Sequence, residues 1–446
     1  MKTIKSRLAA LGFLEFAVWG SYLVSLSLYL KAVGLGDYIF WFYTIQGLVS
    51  LIMPGLIGIL ADRFIPAQKM LSLCHVLAGT FMFAAGWYAM DAGADVQFGP
   101  LFTLYSISVA FFMPTIGLNN SVAFNALTKA GLDTVKDFPP IRVWGTIGFI
   151  AAEWFVNFVK IDGVAIMNSY TQLFTCGIIS IMLAIYALTM PDCPVKRGGS
   201  TSLADSLGLT AFKLFKDKKM AIFFIFSMLL GVSLQITNSY GSTFIEHFGS
   251  VAQYADDFFA KNPTFLISLS QCSEALCILL IPFCLKKFGI KGVMLIAMFA
   301  WVLRFGFFGI GNTSASGVGL LMLSCVVYGV AFDFFNVSGG LYVDKQVKPE
   351  LRSSAQGLFM IMTNGIGASL GTWLAGTFVI NKLHVFDPAY TTVQQLEGWR
   401  LSWYIFAAYA LLVGILFVFI FKDNNKADKK EISEAEVQVA KDEDAI

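Results

Sequence analysis

The sequence predicts an all-α polytopic membrane protein, with twelve transmembrane helices arranged as six plus six. Three features predict this: an apolar composition, twelve long apolar stretches, and one long polar connection midway. The chain of 446 residues is 57% hydrophobic and 13% charged, with mean hydropathy +0.70. That is too little charge to cover a soluble domain of this length. The net charge of +2 gives no reason to expect a nucleic acid partner. Seven cysteines, odd in number and without metal-ligand spacing, read as small apolar packing residues. No metal site or cofactor is expected.

A helix needs about 20 apolar residues to cross the hydrocarbon core. Stretches near 8–31, 38–61, 69–90, 98–127, 142–160, 168–190, 220–244, 263–285, 290–311, 316–342, 353–380 and 401–421 meet this requirement. The basic, then apolar N-terminus resembles a signal peptide, but its apolar run is too long and no small-residue cleavage site follows. It is expected to stay as span one. Residues 191–219, with Pro191, Pro194 and Gly198-Gly199-Ser200, form a polar linker between two six-helix bundles, 1–190 and 220–421. Residues 422–446 read as a disordered tail.

Lysine and arginine placement sets the orientation. Lys31, Lys160, Lys261, Lys382 and Arg400 fall in the alternate loops and Arg304 within span nine; the other 25 of the 31 lie on the N-terminal side. Both termini are therefore expected in the cytoplasm. The lipid bilayer is the expected environment and a monomer the expected state.

Ionisable residues inside such spans are costly and usually face a bundle interior or a polar path. Glu15, Glu153, Glu274 and Asp333 are of this kind, and Arg142 and Arg304 lie at or within similar stretches. In span five, Pro139 and Pro140 read as the start of a helix. Arg142, Thr146 and Phe149 then share one face at i, i+4 and i+7. A guanidinium, a hydroxyl and a ring suit a flat polar ligand; on position alone, Arg142 is equally a positive-inside residue. Gln235 with Asn238, and Gln271 with Glu274, pair at i, i+3 in spans seven and eight. Amides offer donors and acceptors to a nucleobase edge, and a carboxylate accepts from sugar hydroxyls; interhelical bonding is the alternative. Tyr328 and Phe332, one turn apart in span ten, are expected to flank a planar ring. Asp333, between Phe332 and Phe334, is expected to take up and release a proton, with Arg304 or Arg142 as partner. Glu15 and Glu153 read as further protonation sites, acids facing a polar crevice, or partners for Arg304. His75 is expected to pack inside span three, and His247 and His384 to be solvated in outer segments.

Gly58-Ile-Leu-Ala-Asp62-Arg63, between spans two and three, resembles the G-x-x-x-D-R loop motif of the major facilitator superfamily. Gly58 there would permit close helix approach, and Asp62 and Arg63 would act in one conformation. Longer segments, Phe138–Ile150, Met220–Asn238, Ser268–Glu274, Tyr328–Asn336 and Ser354–Gly365, are similar to the nucleoside:proton symporter family, the bacterial nucleoside permeases of that superfamily. The resemblance implies proton-driven uptake of nucleosides such as uridine or adenosine across a bacterial inner membrane. It implies that Arg142, Thr146, Phe149, Gln235, Asn238, Gln271, Glu274, Tyr328 and Phe332 line the nucleoside site. Asp333, with Glu274, Glu15 and Arg304, would serve proton coupling or switching. Glu15 and Glu153 depart from the family pattern, where uncharged residues are expected. A sugar or oligosaccharide symporter of the same fold is the alternative. No nucleophile–base motif supports an enzyme.

Overall fold

The computed structural model describes residues 2–193, 195, 209–347 and 351–421. The tail 422–446 and about half of the central linker lie outside them, as does the side chain of Asp62. The described chain is helical except for a short antiparallel hairpin, Lys160–Ile161 with Val164–Ala165, after span five. Helices suit this setting because lipid offers no hydrogen bonds to backbone groups, which must therefore be satisfied within the segment.

Several spans are single helices: Ile39–Arg63, Ala67–Ala92, Phe98–Lys129, Thr134–Phe158, Thr171–Ala187, Val318–Gln346 and Thr392–Ile420. Spans eight and nine form one run, Pro263–Ile310, turned at Gly289, whose φ of 71° favours a residue without Cβ. Span eleven runs from Arg352 to Ile380 and contains two π-helical stretches, Ile361–Gly367 and Ala375–Ile380. Span five begins at Thr134, so Pro139 and Pro140 sit in its second turn, not at its start.

Spans one and seven, which open the two halves, are both broken. Span one is Lys2–Gly20 and Leu26–Ala32, joined by a turn; span seven is Lys218–Leu234 and Ile236–Phe248, hinged at Gln235. Each packs through glycine on the fifth span of its own half. A Cβ on Gly20 would strike the Phe149 carbonyl, and one on Gly148 the Phe13 carbonyl. In the other half, Gly231 meets the Thr363 backbone and Gly371 that of Val232. Small residues permit such backbone contact. The repeated breaks and repeated seams give the two halves the same internal plan.

The halves pack span two on span eleven and span five on span eight, and side-chain bonds join them at the face opposite the chain termini. Lys31 pairs with Glu246 at 2.5 Å. Asn157 Nδ2 donates to Asn262 Oδ1 at 2.8 Å, and Thr264 Oγ1 to Asn157 Oδ1 at 2.8 Å. Trp154 Nε1 donates to Ser268 Oγ at 2.8 Å, and Asn381 Nδ2 to the Asp37 carbonyl at 3.0 Å. At mid-depth, Ser369 Oγ donates to the Thr44 carbonyl at 3.3 Å. His247, expected to be solvated, is instead buried at this far face. Its Nδ1 accepts from Trp399 Nε1 at 3.0 Å and its Nε2 lies 2.9 Å from Gln395 Oε1. Near the terminal face, Lys5–Asp137 and Arg352–Asp344 are bridges within one half. A Cβ on Gly58 would meet nothing within 4 Å, so the close helix approach expected there is absent in this conformation.

Replacing Gly148 by Val forces span one away from span five, and overpacking of this kind costs about 1–3 kcal/mol. A lower unfolding temperature in detergent is expected for Gly148→Val. Gly12→Ala, whose Cβ meets nothing within 4 Å, is expected to match the parent chain.

Candidate functional site

Span five carries its polar stripe further than the i, i+4, i+7 pattern predicts. Arg142 is solvent-exposed, Thr146 partly so, and Phe149 is buried against span one. The Arg142 guanidinium carbon lies 4.1 Å from the Phe16 ring centroid, a cation–π contact. Trp19 meets Phe149 edge-on, with centroids 6.1 Å apart. Phe16 and Trp19 pack against two of the candidate residues, and sequence reasoning missed them. Their i, i+3 spacing beside Glu15 is the available signal, but many aromatic residues in this chain share such spacing.

The other half supplies amides and acids. Asn238 Nδ2 donates to Gln235 Oε1 at 2.8 Å, at the hinge of span seven. This bond leaves the Gln235 NH2 as a donor and the Asn238 carbonyl as an acceptor, a complement to a base edge. Gln271 Nε2, assigned so that donors meet acceptors, donates to the Ile267 carbonyl at 3.0 Å and the Ser268 carbonyl at 3.3 Å. Glu274 is partly buried and Asp333 nearly fully, with Asp333 Oδ2 lacking a hydrogen-bond partner.

Arg142 acts electrostatically on both Glu274 and Asp333, and Glu274 on Asp333. Span five of one half thus faces spans eight and ten of the other. Arg142 is exposed, whereas several bonds that join the halves lie at the far face. One guanidinium meets two carboxylates, so these three groups balance in charge only when one carboxyl carries a proton.

Arg304 is the partner of neither Asp333 nor Glu15. It is 1% exposed, and its guanidinium donates to Thr237 Oγ1 at 3.0 Å, Ser270 Oγ at 3.2 Å and the Ser324 carbonyl at 3.1 Å. Its guanidinium carbon sits 4.2 Å from the Tyr328 ring centroid. Arg304 therefore ties spans seven, eight, nine and ten together behind the site, with hydroxyls and a ring in place of a carboxylate.

Tyr328 and Phe332 stack on each other, centroids 5.6 Å apart and planes 14° from parallel. A base held between them would need about 7 Å, two van der Waals gaps. The expected flanking of a ring is therefore not available in this conformation, and a base would meet an outer face or edge of the pair.

Glu15 does not face a crevice. It is fully buried, with Oε2 2.9 Å from His75 Nε2 and Oε1 accepting from Thr115 Oγ1 at 2.6 Å. His75 Nδ1 lies 3.0 Å from Ser180 Oγ. This network joins spans one, three, four and six inside one bundle. Glu153 is also 0% exposed, but neither of its oxygens has a hydrogen-bond partner.

The chain matches the nucleoside H+ symporter family over residues 1–426. It is 44% identical to the xanthosine permease of Escherichia coli (strain K12), over 96% of this chain and 98% of that protein. Identity to the nucleoside permease NupG of the same organism is 41%, over 94% of this chain and 96% of that protein. A crystal structure of nucleoside transporter NupG superposes with TM-score 0.83 at 41% identity, covering 94% of this chain and 100% of that one. A D-xylose–proton symporter, 15% identical with TM-score 0.63 over 94% of this chain and 97% of that one, shares the fold alone. The chain belongs to the nucleoside H+ symporter family within the major facilitator fold, and it carries nucleosides with protons across a membrane by alternating access rather than catalysing a reaction.

Proposed function

We propose that the nucleoside lies between Arg142, Thr146 and Phe149 of one half and Gln235, Asn238, Gln271, Glu274, Tyr328 and Phe332 of the other. The observation that carries this reading is the Gln235–Asn238 bond, which orients one free donor and one free acceptor side by side. In this reading the amides meet the base edge, the Tyr328–Phe332 stack offers it an apolar face, and Glu274 accepts from sugar hydroxyls. Arg304 positions Tyr328, and Glu15 with His75 holds span one in its bundle. Uridine and adenosine are the first candidates, and the similarity to a xanthosine permease adds a further purine nucleoside.

The basic residues on the N-terminal side support cytoplasmic termini in a bacterial inner membrane. The conformation described is then inward-facing, with Lys31–Glu246 and Asn157–Asn262 closing the outer side. The chain acts as a monomer in this proposal, with the proton as coupling ion and no other cofactor. Gly58, Asp62 and Arg63 would make their contacts when the cytoplasmic side closes.

Charge count supplies the coupling. In the outward-facing state a proton from outside occupies Asp333 or Glu274, leaving the site with Arg142 neutral overall and free to close. Inward opening wets the cavity, and the proton leaves with the nucleoside. Asp333 is assigned the proton because one of its oxygens lacks a donor, and Glu274 the sugar. Protonation from outside precedes closure, so uptake rises as external pH falls.

Asp333→Asn keeps one fixed neutral group, so it should abolish accumulation against a gradient while preserving exchange of labelled for unlabelled uridine. Glu274→Gln loses a charged hydrogen bond worth about 1.5–3 kcal/mol, and its KM should rise roughly tenfold to a hundredfold. Both are read by radiolabelled uptake in cells lacking their own nucleoside permeases. Unlabelled adenosine and xanthosine should compete with uridine in the parent protein, and xylose should not. Competition by xylose alone would transfer the site to a sugar.

A further inference from the structure

Glu153 continues the span-five stripe of Arg142, Thr146 and Phe149, one turn beyond Phe149 toward the far face. Its neighbours there close the seam between the halves. Trp154 Nε1 bonds Ser268 Oγ, and Asn157, one turn further, bonds Asn262 and Thr264. The Trp154 and Phe158 rings pack on Phe265 at 5.3 and 5.4 Å. Within this seam Glu153 has no exposed surface and no donor to either oxygen.

Arg304 of span nine reaches Cys325, but its donors go to Thr237, Ser270 and the Ser324 carbonyl, and none reaches Glu153. From span eight Cys272 faces it, with Glu274 two residues on, and from span ten Cys325. Residues 20–28 of span one include no charged residue. Tyr22, its one titratable group there, packs on Tyr105 and Phe112. The 3-10 turn Ile166–Asn168 presents apolar Ile166 and Met167 to Val156. On span five itself Arg142 lies eleven residues back, in the cavity. Span four meets span five through Phe124 and Phe138, near the opposite end. An ionised carboxylate enclosed without donor or counter-ion is strongly disfavoured.

We propose that Glu153 is a proton-binding residue of the outer gate: closing the seam between spans five and eight takes up one proton from the outer side, and opening it releases that proton. This proton site is separate from Asp333 and Glu274, because the Glu153 carboxyl lies within the closed seam rather than in the open cavity. It makes the return to the outward-facing state easier as external pH rises and makes closure easier as it falls. The orientation rests on the proposed cytoplasmic termini, but the proton-linked closure does not.

Hydrogen–deuterium exchange of the full-length protein in detergent tests this without any nucleoside present, so its outcome is independent of cargo. Exchange in residues 153–165 and 258–268, corrected for intrinsic pH dependence, would be followed from about pH 5 to about pH 8; one linked proton allows a rise of at most roughly tenfold per pH unit. The parent protein is expected to show a rise with pH confined to these segments. Glu153→Gln and Glu153→Leu should stay slow throughout, and Glu153→Asp should restore the rise. The proposal is overturned if the parent shows no rise, if Glu153→Gln follows the parent, or if both neutral variants exchange fast at every pH.

Discussion

A charged or hydrogen-bonding group inside a bilayer must find its partner within the protein, and this requirement sorts the polar residues of the chain. Arg304 is satisfied by three oxygens and a ring inside one half. Glu15 is satisfied by His75 and Thr115 inside the other. Arg142, Glu274 and Asp333 instead face one another between the halves, and Glu153 is left without a partner. In the proposed function, the groups not closed off inside one bundle are those that bind cargo and protons.

The same reasoning explains why the two halves share a plan. Spans one and seven are broken at residues 21–25 and at Gln235, where backbone and amide groups become available for other bonds. Each is pinned by glycine contacts to spans five and eleven respectively, so a broken helix still has a rigid neighbour. Span five presents its stripe at this seam, and span eleven stands in the corresponding place opposite. Halves of the same plan suit alternating access, in which two arrangements of the same bodies differ little in energy.

The sequence made the spans legible because twenty-residue apolar runs have a length set by the bilayer. The site was legible in part, since i, i+3 and i, i+4 spacing puts Gln235 with Asn238, and Arg142 with Thr146, on common faces. Partners distant in the chain were not legible. Glu15 and His75 are 60 residues apart, and nothing local distinguishes that pair from Glu15 with Arg304. The mutual stacking of Tyr328 and Phe332 depends on rotamers, which spacing does not set. Burial of His247 beneath Trp399 depends on a helix more than 150 residues later. The start of span five at Thr134 was missed because its prolines usually mark a first turn.

The central claim is that one guanidinium set against two carboxylates obliges a proton to travel with each nucleoside. Purified protein in weakly buffered vesicles, with a pH electrode outside, tests it directly. Adding uridine or adenosine outside should alkalinise the external medium as protons enter, Asp333→Asn should abolish this signal, and a protonophore should dissipate it. Nucleoside entry with no change in external pH would contradict the account.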